Sequence, residues 1–273
     1  MIPPSFTYQR ASSVDEALAL AAEHGEDAKY LAGGHSLLPL MKLRFAAPAV
    51  LIDLGRLAEL SYIRDEGTYV AIGALTRHHD IATSELLETE IPLLAHTAGA
   101  VGDPQVRHRG TIGGSAAHGD SASDLPAALL ALDVTFVIRG VGRTRNVPAA
   151  EFFQGIFETA LEPGELLTEI RVPKPASPKA WSFQKFTKRA IDWAIVGVAV
   201  QGGKVALINV ATVPLRATAT ERALAAGASA AEAAARAAEG TSAGSDIHAS
   251  KEFREHLTRV LVRRALEEAA TRQ

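Results

Sequence analysis

The spacing of apolar and polar residues predicts a helix near the start of the chain. Apolar residues recur at the i, i+3, i+4 and i+7 positions of one helix face, at Val14, Ala17, Leu18 and Ala21. Ser13 and Glu16 have the spacing of a capping box, in which each side chain accepts a backbone N–H of the other residue. Gly25 stands just after the pattern, where a helix commonly ends. The first helix is therefore expected to end just before Gly25.

Short apolar runs alternate with further helical patterns as far as residue 172. Strands are predicted over 28–31, 50–54, 69–74, 135–139 and 167–172. Helices are predicted over 92–101 and 126–132. Another helix is expected soon after residue 36, with one apolar face formed by Leu37, Leu40, Met41 and Leu43.

The segment 173–178 contains three prolines and is the expected linker to a separate C-terminal part. Beyond it, strands are predicted over 182–186, 195–201 and 205–212. Gly202 and Gly203 have the position of a hairpin turn between the last two of these strands.

Two helices are predicted at the end of the chain. Ser229 and Glu232 have capping-box spacing ahead of an alanine-rich segment that is expected to end at Gly240. Ser250 is expected to open the final helix. One face of that helix is predicted to comprise Phe253, Leu257, Val260 and Leu261.

Two loops with paired glycines stand out from this background. The first loop follows the predicted strand 28–31 and comprises Ala32, Gly33, Gly34, His35, Ser36 and Leu37. The second comprises Arg109, Gly110, Thr111, Ile112, Gly113, Gly114 and Ser115. Glycine permits positive φ and close approach of a ligand, and the start of a helix favours an anion. One such pair would indicate an ordinary turn, whereas two similar loops predict a site that cradles phosphate groups.

Composition and charge exclude several classes of protein. The chain has 273 residues, of which 47% are hydrophobic, so it has ample material for more than one core. No apolar run is long enough to cross a bilayer, and the first residues do not resemble a signal peptide. Without cysteine, any iron–sulfur cluster must lie on another chain. The net charge of −3 argues against nucleic acid as a partner.

Other common site motifs are absent from the sequence. There is no G-x-G-x-x-G fingerprint, no P-loop and no G-x-S-x-G nucleophile elbow. Thr76 is predicted to cap a short helix that contains His78, His79 and Asp80. We do not expect these three residues to bind a metal, because adjacent histidines point to different helix faces and no third ligand has a usable spacing. A solvated first turn is the expected alternative.

The polar residues around the second loop allow two interpretations each. Arg107 and Arg109 can complement a pyrophosphate or pair with Asp103 or another acid. Asp124 can cap the helix 126–132 or accept a hydrogen bond from a ligand hydroxyl.

The two loops, together with the run Leu38-Pro39-Leu40-Met41-Lys42-Leu43-Arg44, resemble the FAD-binding medium subunits of molybdenum hydroxylases, above all the aerobic carbon monoxide dehydrogenase type. The resemblance implies an α+β fold. It implies two lobes of a vanillyl-alcohol-oxidase (PCMH) type FAD domain, 1–56 and 57–175, followed by a small α+β domain, 176–273, with a three-stranded antiparallel sheet and helices.

The resemblance also implies the site residues. Ala32 to Leu37 and Thr111 to Ser115 would surround the FAD pyrophosphate, and Asp124 would contact the cofactor. Lys185, Asp192 and Trp193 would lie near the isoalloxazine, with Trp193 over the flavin ring rather than in a core. Ser115 departs from the family pattern, in which asparagine is frequent. No catalytic acid or base and no metal ligand is expected on this chain.

The function implied by the resemblance is electron transfer within a complex. A large subunit would carry the molybdopterin cofactor, and a small subunit would carry two [2Fe–2S] clusters. The medium subunit would pass electrons from those clusters through FAD to a quinone, O₂ or NAD⁺. A heterohexamer, formed as a dimer of heterotrimers, is expected in the cytoplasm, with attachment to the inner face of the membrane left open.

Several alternatives remain at this stage. The substrate of the complex would be carbon monoxide or, alternatively, an aldehyde, xanthine or an N-heterocycle. The alternative functions are a stand-alone flavin oxidoreductase and an assembly module without cofactor.

Overall fold

The first part of the chain forms a small parallel sheet, seen in a computed structural model that describes residues 2–272. Its elements are β1 (Thr7–Arg10), α1 (Val14–His24), β2 (Ala28–Leu31), α2 (Leu37–Leu43) and β3 (Val50–Asp53). β3 lies between β1 and β2 and pairs in parallel with both. The first glycine loop therefore leaves the carboxyl edge of this sheet, between β2 and α2.

Both helices of this part agree with the predictions, with differences in detail. Ser13 Oγ accepts the N–H of Glu16 at 3.1 Å, as predicted. The Glu16 carboxylate, however, accepts hydrogen bonds from Ser12 instead of Ser13, so only half of the capping box forms. In α2, Met41 is buried, but Leu43 is more than half exposed. The prediction that Leu43 packs on the apolar face was wrong, because this short helix turns its last residues to solvent.

The second part contains a five-stranded antiparallel sheet and most of the short helices. Its elements are β4 (Ile63–Asp65), β5 (Tyr69–Gly73), α3 (His78–Ala82), α4 (Glu85–Glu90), α5 (Pro92–Gly99), α6 (Pro104–Arg107), α7 (Ile112–His118), α8 (Asp124–Ala131), β6 (Thr135–Gly140), β7 (Arg143–Pro148), α9 (Ala149–Phe152), β8 (Phe153–Gly155), β9 (Glu158–Thr159) and β10 (Leu166–Pro173). The strand order is β4-β5-β10-β6-β7, and β8 and β9 form a separate hairpin. The second glycine loop begins α7.

The cap predicted at Thr76 was wrong. Arg77 occupies the N-cap position of α3 and makes no side-chain cap. The Thr76 hydroxyl instead bonds both the N–H and the C=O of Tyr62, at 3.1 and 3.0 Å. Thr76 follows β5 and Tyr62 precedes β4, so the buried hydroxyl links the outer ends of these two strands and pairs with both backbone groups of Tyr62.

The third part is a four-stranded antiparallel sheet covered by helices. Its elements are β11 (Trp181–Phe186), β12 (Val196–Gln201), β13 (Lys204–Ile208), β14 (Leu215–Arg216), α10 (Thr218–Ala225), α11 (Ala230–Ala235) and α12 (Lys251–Thr271). The hairpin at Gly202 and Gly203 is present as predicted. The predicted three strands gain a short fourth, β14, because β13 ends at Ile208 and the chain returns to pair with it.

The C-terminal helices differ from the prediction at their edges. The capping box of Ser229 and Glu232 is complete, but α11 ends well before Gly240, and turns fill the interval. Ser250 caps α12 as expected. Phe253 does not lie on the buried face and is 43% exposed. The buried face of α12 comprises Arg254, Leu257, Thr258, Leu261, Val262, Ala265, Leu266 and Ala269.

α8 joins the two larger sheets into one structure. All eight of its residues are buried. One continuous core contains α8, strand residues of the five-stranded sheet such as Phe136 and Ile170, and residues of the third part such as Phe183 and Ala206. The start of α8 is therefore held in place by both parts of the chain.

Candidate functional site

A large cleft of about 1110 Å³ lies where the three parts of the chain meet. Ligand pockets in proteins commonly have about 300–1,000 Å³, so this cleft is large enough for a ligand of dinucleotide size. It is lined by nearly all of the predicted site residues, namely Ala32, Gly33, Gly34, His35, Ser36, Leu37, Thr111, Gly113, Gly114, Ser115, Asp124, Lys185, Asp192 and Trp193.

Ile112 is the predicted site residue that does not line the cleft. Its side chain is fully buried in the core of the second part. Its N–H donates to Thr76 O at 3.1 Å and is not available to a ligand. The side chain and N–H of Ile112 therefore serve the packing of α7, because an isoleucine at this position gains free energy from apolar burial, and its place in the cofactor site stays a prediction.

The first loop carries the free backbone donors of the site. Among residues 2–272, the N–H groups of Gly33 to Leu37 donate to no protein acceptor. Gly34 has a φ of +76°, which glycine adopts without strain. A Cβ on Gly33 would lie 2.3 Å from Arg109 O and 2.8 Å from Gly110 Cα. The absence of a side chain at Gly33 thus lets the backbones of the two loops touch.

The backbone donors of the second loop are already used within the protein. Gly113 N–H donates to Ala74 O at 2.9 Å, and Gly114 N–H donates to Thr111 Oγ1 at 3.1 Å. Ser115 N–H donates to Thr111 O at 3.0 Å. A Cβ on Gly113 would lie 2.5 Å from Ala74 Cβ, so this glycine lets α7 pack on the end of β5. The two loops look alike in sequence but offer a ligand different groups.

Asp124 and Lys185 form a nearly buried ion pair across the cleft. Lys185 Nζ lies 2.8 Å from Asp124 Oδ2 and 3.4 Å from Ala100 O. Asp124 is 7% exposed, and its Oδ1 has no hydrogen-bond partner among the described residues. Burial raises the pKa of Asp124 to about 6, although the charge of Lys185 acts in the opposite direction. Asp124 is the first residue of α8 and not its cap, since Ser123 holds the N-cap position.

Trp193 lies at the mouth of the cleft in the connection between β11 and β12. The side chain is 58% exposed, which excludes the core-packing alternative. Asp192 and Ile191 precede it along the same edge of the cleft. An indole held this far out of the core presents a large flat face to a ligand or to a partner surface.

His78 contributes to the cleft in a way that the sequence did not indicate. It was expected in a solvated turn, but it is only 5% exposed. A Cβ on Gly110 would lie 2.7 Å from the His78 ring, so the imidazole packs directly against the second loop. Burial, followed by the charges of His35 and Arg107, lowers the pKa of His78 to about 4. The imidazole is therefore neutral at physiological pH.

The hairpin between β8 and β9 closes another side of the cleft. Phe157 at its tip lines the cleft and has a φ of +56°, a conformation that bulky residues rarely adopt. Its ring lies 5.0 Å from the ring of His118, which also lines the cleft. No signal in the sequence marks either residue, because their roles depend on the fold of a hairpin with very short strands.

The described residues contain no group of three or more His, Cys, Asp or Glu side chains placed to hold a metal ion. Within residues 2–272, there is also no helix with the length and apolar character needed to cross a membrane.

The fold and the cleft are those of a two-lobed flavoprotein domain with a C-terminal extension. Residues 4–175 match the family model of the FAD binding domain in molybdopterin dehydrogenase. Residues 181–269 match the model of the CO dehydrogenase flavoprotein C-terminal domain. The chain therefore belongs to the FAD-binding subunits of the molybdopterin dehydrogenases.

The chain is also similar to individual members of this family. The chain is 41% identical to the carbon monoxide dehydrogenase medium chain of Afipia carboxidovorans, over 100% of this chain and 99% of that one. It is 42% identical to the glyceraldehyde dehydrogenase medium chain of Sulfolobus acidocaldarius, over 73% of this chain and 70% of that one. The structure of a carbon monoxide dehydrogenase from Hydrogenophaga pseudoflava matches with a TM-score of 0.96 and 44% identity, covering 100% of this chain and 99% of the other.

Proposed function

We propose that this chain is the FAD-carrying medium subunit of a molybdenum hydroxylase complex of the carbon monoxide dehydrogenase type. The observation that carries the proposal is the meeting of both glycine loops, the Asp124–Lys185 pair and Trp193 in one cleft. We further propose the divisions 1–56 and 57–175 for the two lobes and 176–273 for the C-terminal domain. This last domain contributes Lys185 and Trp193 to the site.

The free groups of the cleft fit FAD. The N–H groups of Gly33 to Leu37 have no acceptor among the described residues and suit the oxygens of a pyrophosphate. Asp124 Oδ1 is buried without a donor and suits a hydroxyl or an N–H of the cofactor. The hydroxyls of Thr111 and Ser115 face the same cleft and can donate where the backbone of their loop cannot.

We assign different roles to the two loops on this basis. Ala32 to Leu37 bind the pyrophosphate through the backbone. Gly113 and Gly114 give the second loop its position at the end of β5, and Ser115 supplies a single hydroxyl. Trp193 covers the flavin ring, with Lys185 and Asp192 beside it.

When bound, the flavin supplies the electron-carrying chemistry, and this chain's residues hold and shield it. The small subunit with its [2Fe–2S] clusters delivers electrons to this chain, and the large subunit holds the molybdopterin cofactor. A quinone, O₂ or NAD⁺ accepts the electrons. The complex is a dimer of heterotrimers, and its expected location is the cytoplasm, either free or at the inner face of the membrane.

Oxidation of carbon monoxide with water to carbon dioxide is the reaction that we propose for the whole complex. The full-length likeness to the Afipia carboxidovorans medium chain supports this choice. The glyceraldehyde dehydrogenase medium chain, at 42% identity, supports an aldehyde as the second candidate. Both proposals place the substrate on the large subunit, so that no general acid or base is required from this chain.

The decisive experiment is purification of the complex from its native source, followed by an absorption spectrum, cofactor extraction and mass spectrometry of the associated chains. We expect FAD together with a cysteine-rich small chain and a molybdopterin-bearing large chain. Activity of that complex toward carbon monoxide, compared with an aldehyde, then decides the substrate. An isolated chain with FAD would favour a stand-alone oxidoreductase, and a chain free of flavin would refute the assignment of both loops.

A further inference from the structure

Two segments from different parts of the fold meet at the end of the cleft where the flavin ring is proposed to bind, and they must be placed correctly relative to each other. One carries Asp124 at the start of α8, and the other carries Trp193 between β11 and β12. The Lys185–Asp124 pair is one link between these parts. It does not reach the backbone beside Trp193, however, and so does not by itself fix the indole.

Asn209 makes the second link. It lies directly after β13, and its backbone N–H donates to Ser121 O at 2.9 Å, three residues before Asp124. Its side-chain Nδ2 donates to Ala194 O at 2.7 Å, in the residue directly after Trp193. One residue thus holds both segments, the first with its backbone and the second with its side chain.

The conformation of Asn209 suits this bridge. Its φ is +61°, in the left-handed region that asparagine adopts more readily than most residues. This conformation lets the backbone N–H and the side-chain amide of one residue point to different segments. Ala194, whose carbonyl oxygen accepts from this amide, is buried, so the carbonyl needs a hydrogen-bond donor from the protein.

The segment after Ala194 is held independently. Ile195 N–H donates to Phe186 O at 2.8 Å. The nearly buried Arg254 donates through Nη1 to Ile195 O and pairs through Nη2 with Asp246 at 2.6 Å. The return into β12 is therefore rigid, and the Asn209 amide is the bond nearest to Trp193 on that side.

We propose that Asn209 is a positioning residue that sets the place of Trp193 relative to Asp124 at the mouth of the cleft. The inference extends the proposed function, in which Trp193 covers the flavin. Loss of one ordinary hydrogen bond changes the ratio of held to displaced conformations by roughly two- to ten-fold, which sets the expected effect on Trp193.

The test uses the fluorescence of Trp193 in the full chain. The sequence has two tryptophans, so Trp181→Phe leaves Trp193 as the only one. In this background, Asn209→Gly keeps the positive φ and the N–H to Ser121 but removes the side-chain amide. Asn209→Asp keeps the shape and replaces the donor with a carboxylate. Asn146→Gly, at an exposed position on β7, is the matched control.

We expect lower anisotropy and greater acrylamide quenching of Trp193 in both Asn209 variants without FAD, and weaker quenching by FAD when it is added. The control should match the parent in all three readouts. Parent-like anisotropy and quenching in a folded Asn209→Gly chain would overturn the inference, and Asn209→Asp decides the matter if Asn209→Gly does not fold. If FAD fails to quench Trp193 even in the parent, the flavin placement is wrong, while the anisotropy without FAD still decides the role of Asn209.

Discussion

Substitution of Gly33 by alanine tests whether contact between the two loops is needed for binding FAD. The added Cβ would lie 2.3 Å from Arg109 O and 2.8 Å from Gly110 Cα. Both neighbours are backbone atoms, which cannot turn aside as a flexible side chain can. Because nonbonded heavy atoms pack at about 3.5–4.0 Å, the loops must separate by about 1 Å.

The expected loss of affinity follows from the donors that this movement displaces. A hydrogen bond to a charged group contributes about 1.5–3 kcal/mol, so loss of two from the first loop costs about 3–6 kcal/mol. With about 1.4 kcal/mol for each factor of ten, Gly33→Ala should weaken FAD binding by about 10²- to 10⁴-fold. The fold itself should survive, since overpacking at one site costs about 1–3 kcal/mol.

Titration of the flavin-free chain with FAD, followed by flavin fluorescence, measures this loss directly. Gly203→Ala is the matched control, because a Cβ at Gly203 meets no atom within 4 Å and that glycine does not have a positive φ. The control should bind FAD as the parent does. A folded Gly33→Ala chain with parental affinity for FAD would refute the argument that the loops must touch.

Three further predictions concern the same cleft. Gly34→Val and Gly114→Val should each abolish FAD binding, which the flavin content after reconstitution measures. Valine is strained at the φ of +76° of Gly34, and a Cβ at Gly114 would lie 2.8 Å from the hydroxyl that caps α7. Trp193→Ala should shift the flavin absorption spectrum and reduction potential, because the exposed indole at the mouth of the cleft would no longer cover the flavin ring. In the parent, Asp124 should lower the stability by about 3 kcal/mol as the pH rises, because its pKa of about 6 in the folded chain lies about two units above that of the unfolded chain. Asp124→Asn should not show this pH-dependent decrease.

The sign of the last prediction follows from the raised pKa. The folded chain holds the Asp124 proton more tightly, so the contribution is full below about pH 4 and is lost as the pH rises through about 6. His78 titrates over the same range with a lowered pKa and acts in the opposite direction. The measurement is therefore the difference in urea unfolding free energy between parent and Asp124→Asn from pH 4 to 7, and a difference that does not vary with pH would refute it.

The other two predictions have equally clear contrary outcomes. Stoichiometric FAD in both Gly34→Val and Gly114→Val would rule out the loops as the binding site. An unchanged flavin spectrum and potential in Trp193→Ala would place the indole away from the ring. Trp181→Ala is the control for that variant, because Trp181 packs against Arg272 outside the cleft.

Local patterns predicted most of the regular elements and the position of both loops. The strand at Ala28–Leu31 and the helix start at Ser250 depend on residues that are neighbours in the sequence, and both were predicted correctly. The burial of His78 was missed, because it depends on contact with Gly110, which lies far away along the chain. The same is true of Thr76, whose hydroxyl is taken by Tyr62. Tertiary contacts override a local preference in each of these failures.

The clearest limit of sequence reasoning here is the difference between the two glycine pairs. Gly33 and Gly113 both permit close packing, because a Cβ at either position would lie within 3 Å of another backbone or side chain. Gly34 alone among the two pairs has a positive φ. The amides of Gly113, Gly114 and Ser115 donate to Ala74 and to Thr111, whereas those of Gly33 to Leu37 meet no acceptor within residues 2–272. A motif of two glycines thus identifies where backbones come together, but only the tertiary structure shows which loop still has donors for an anion.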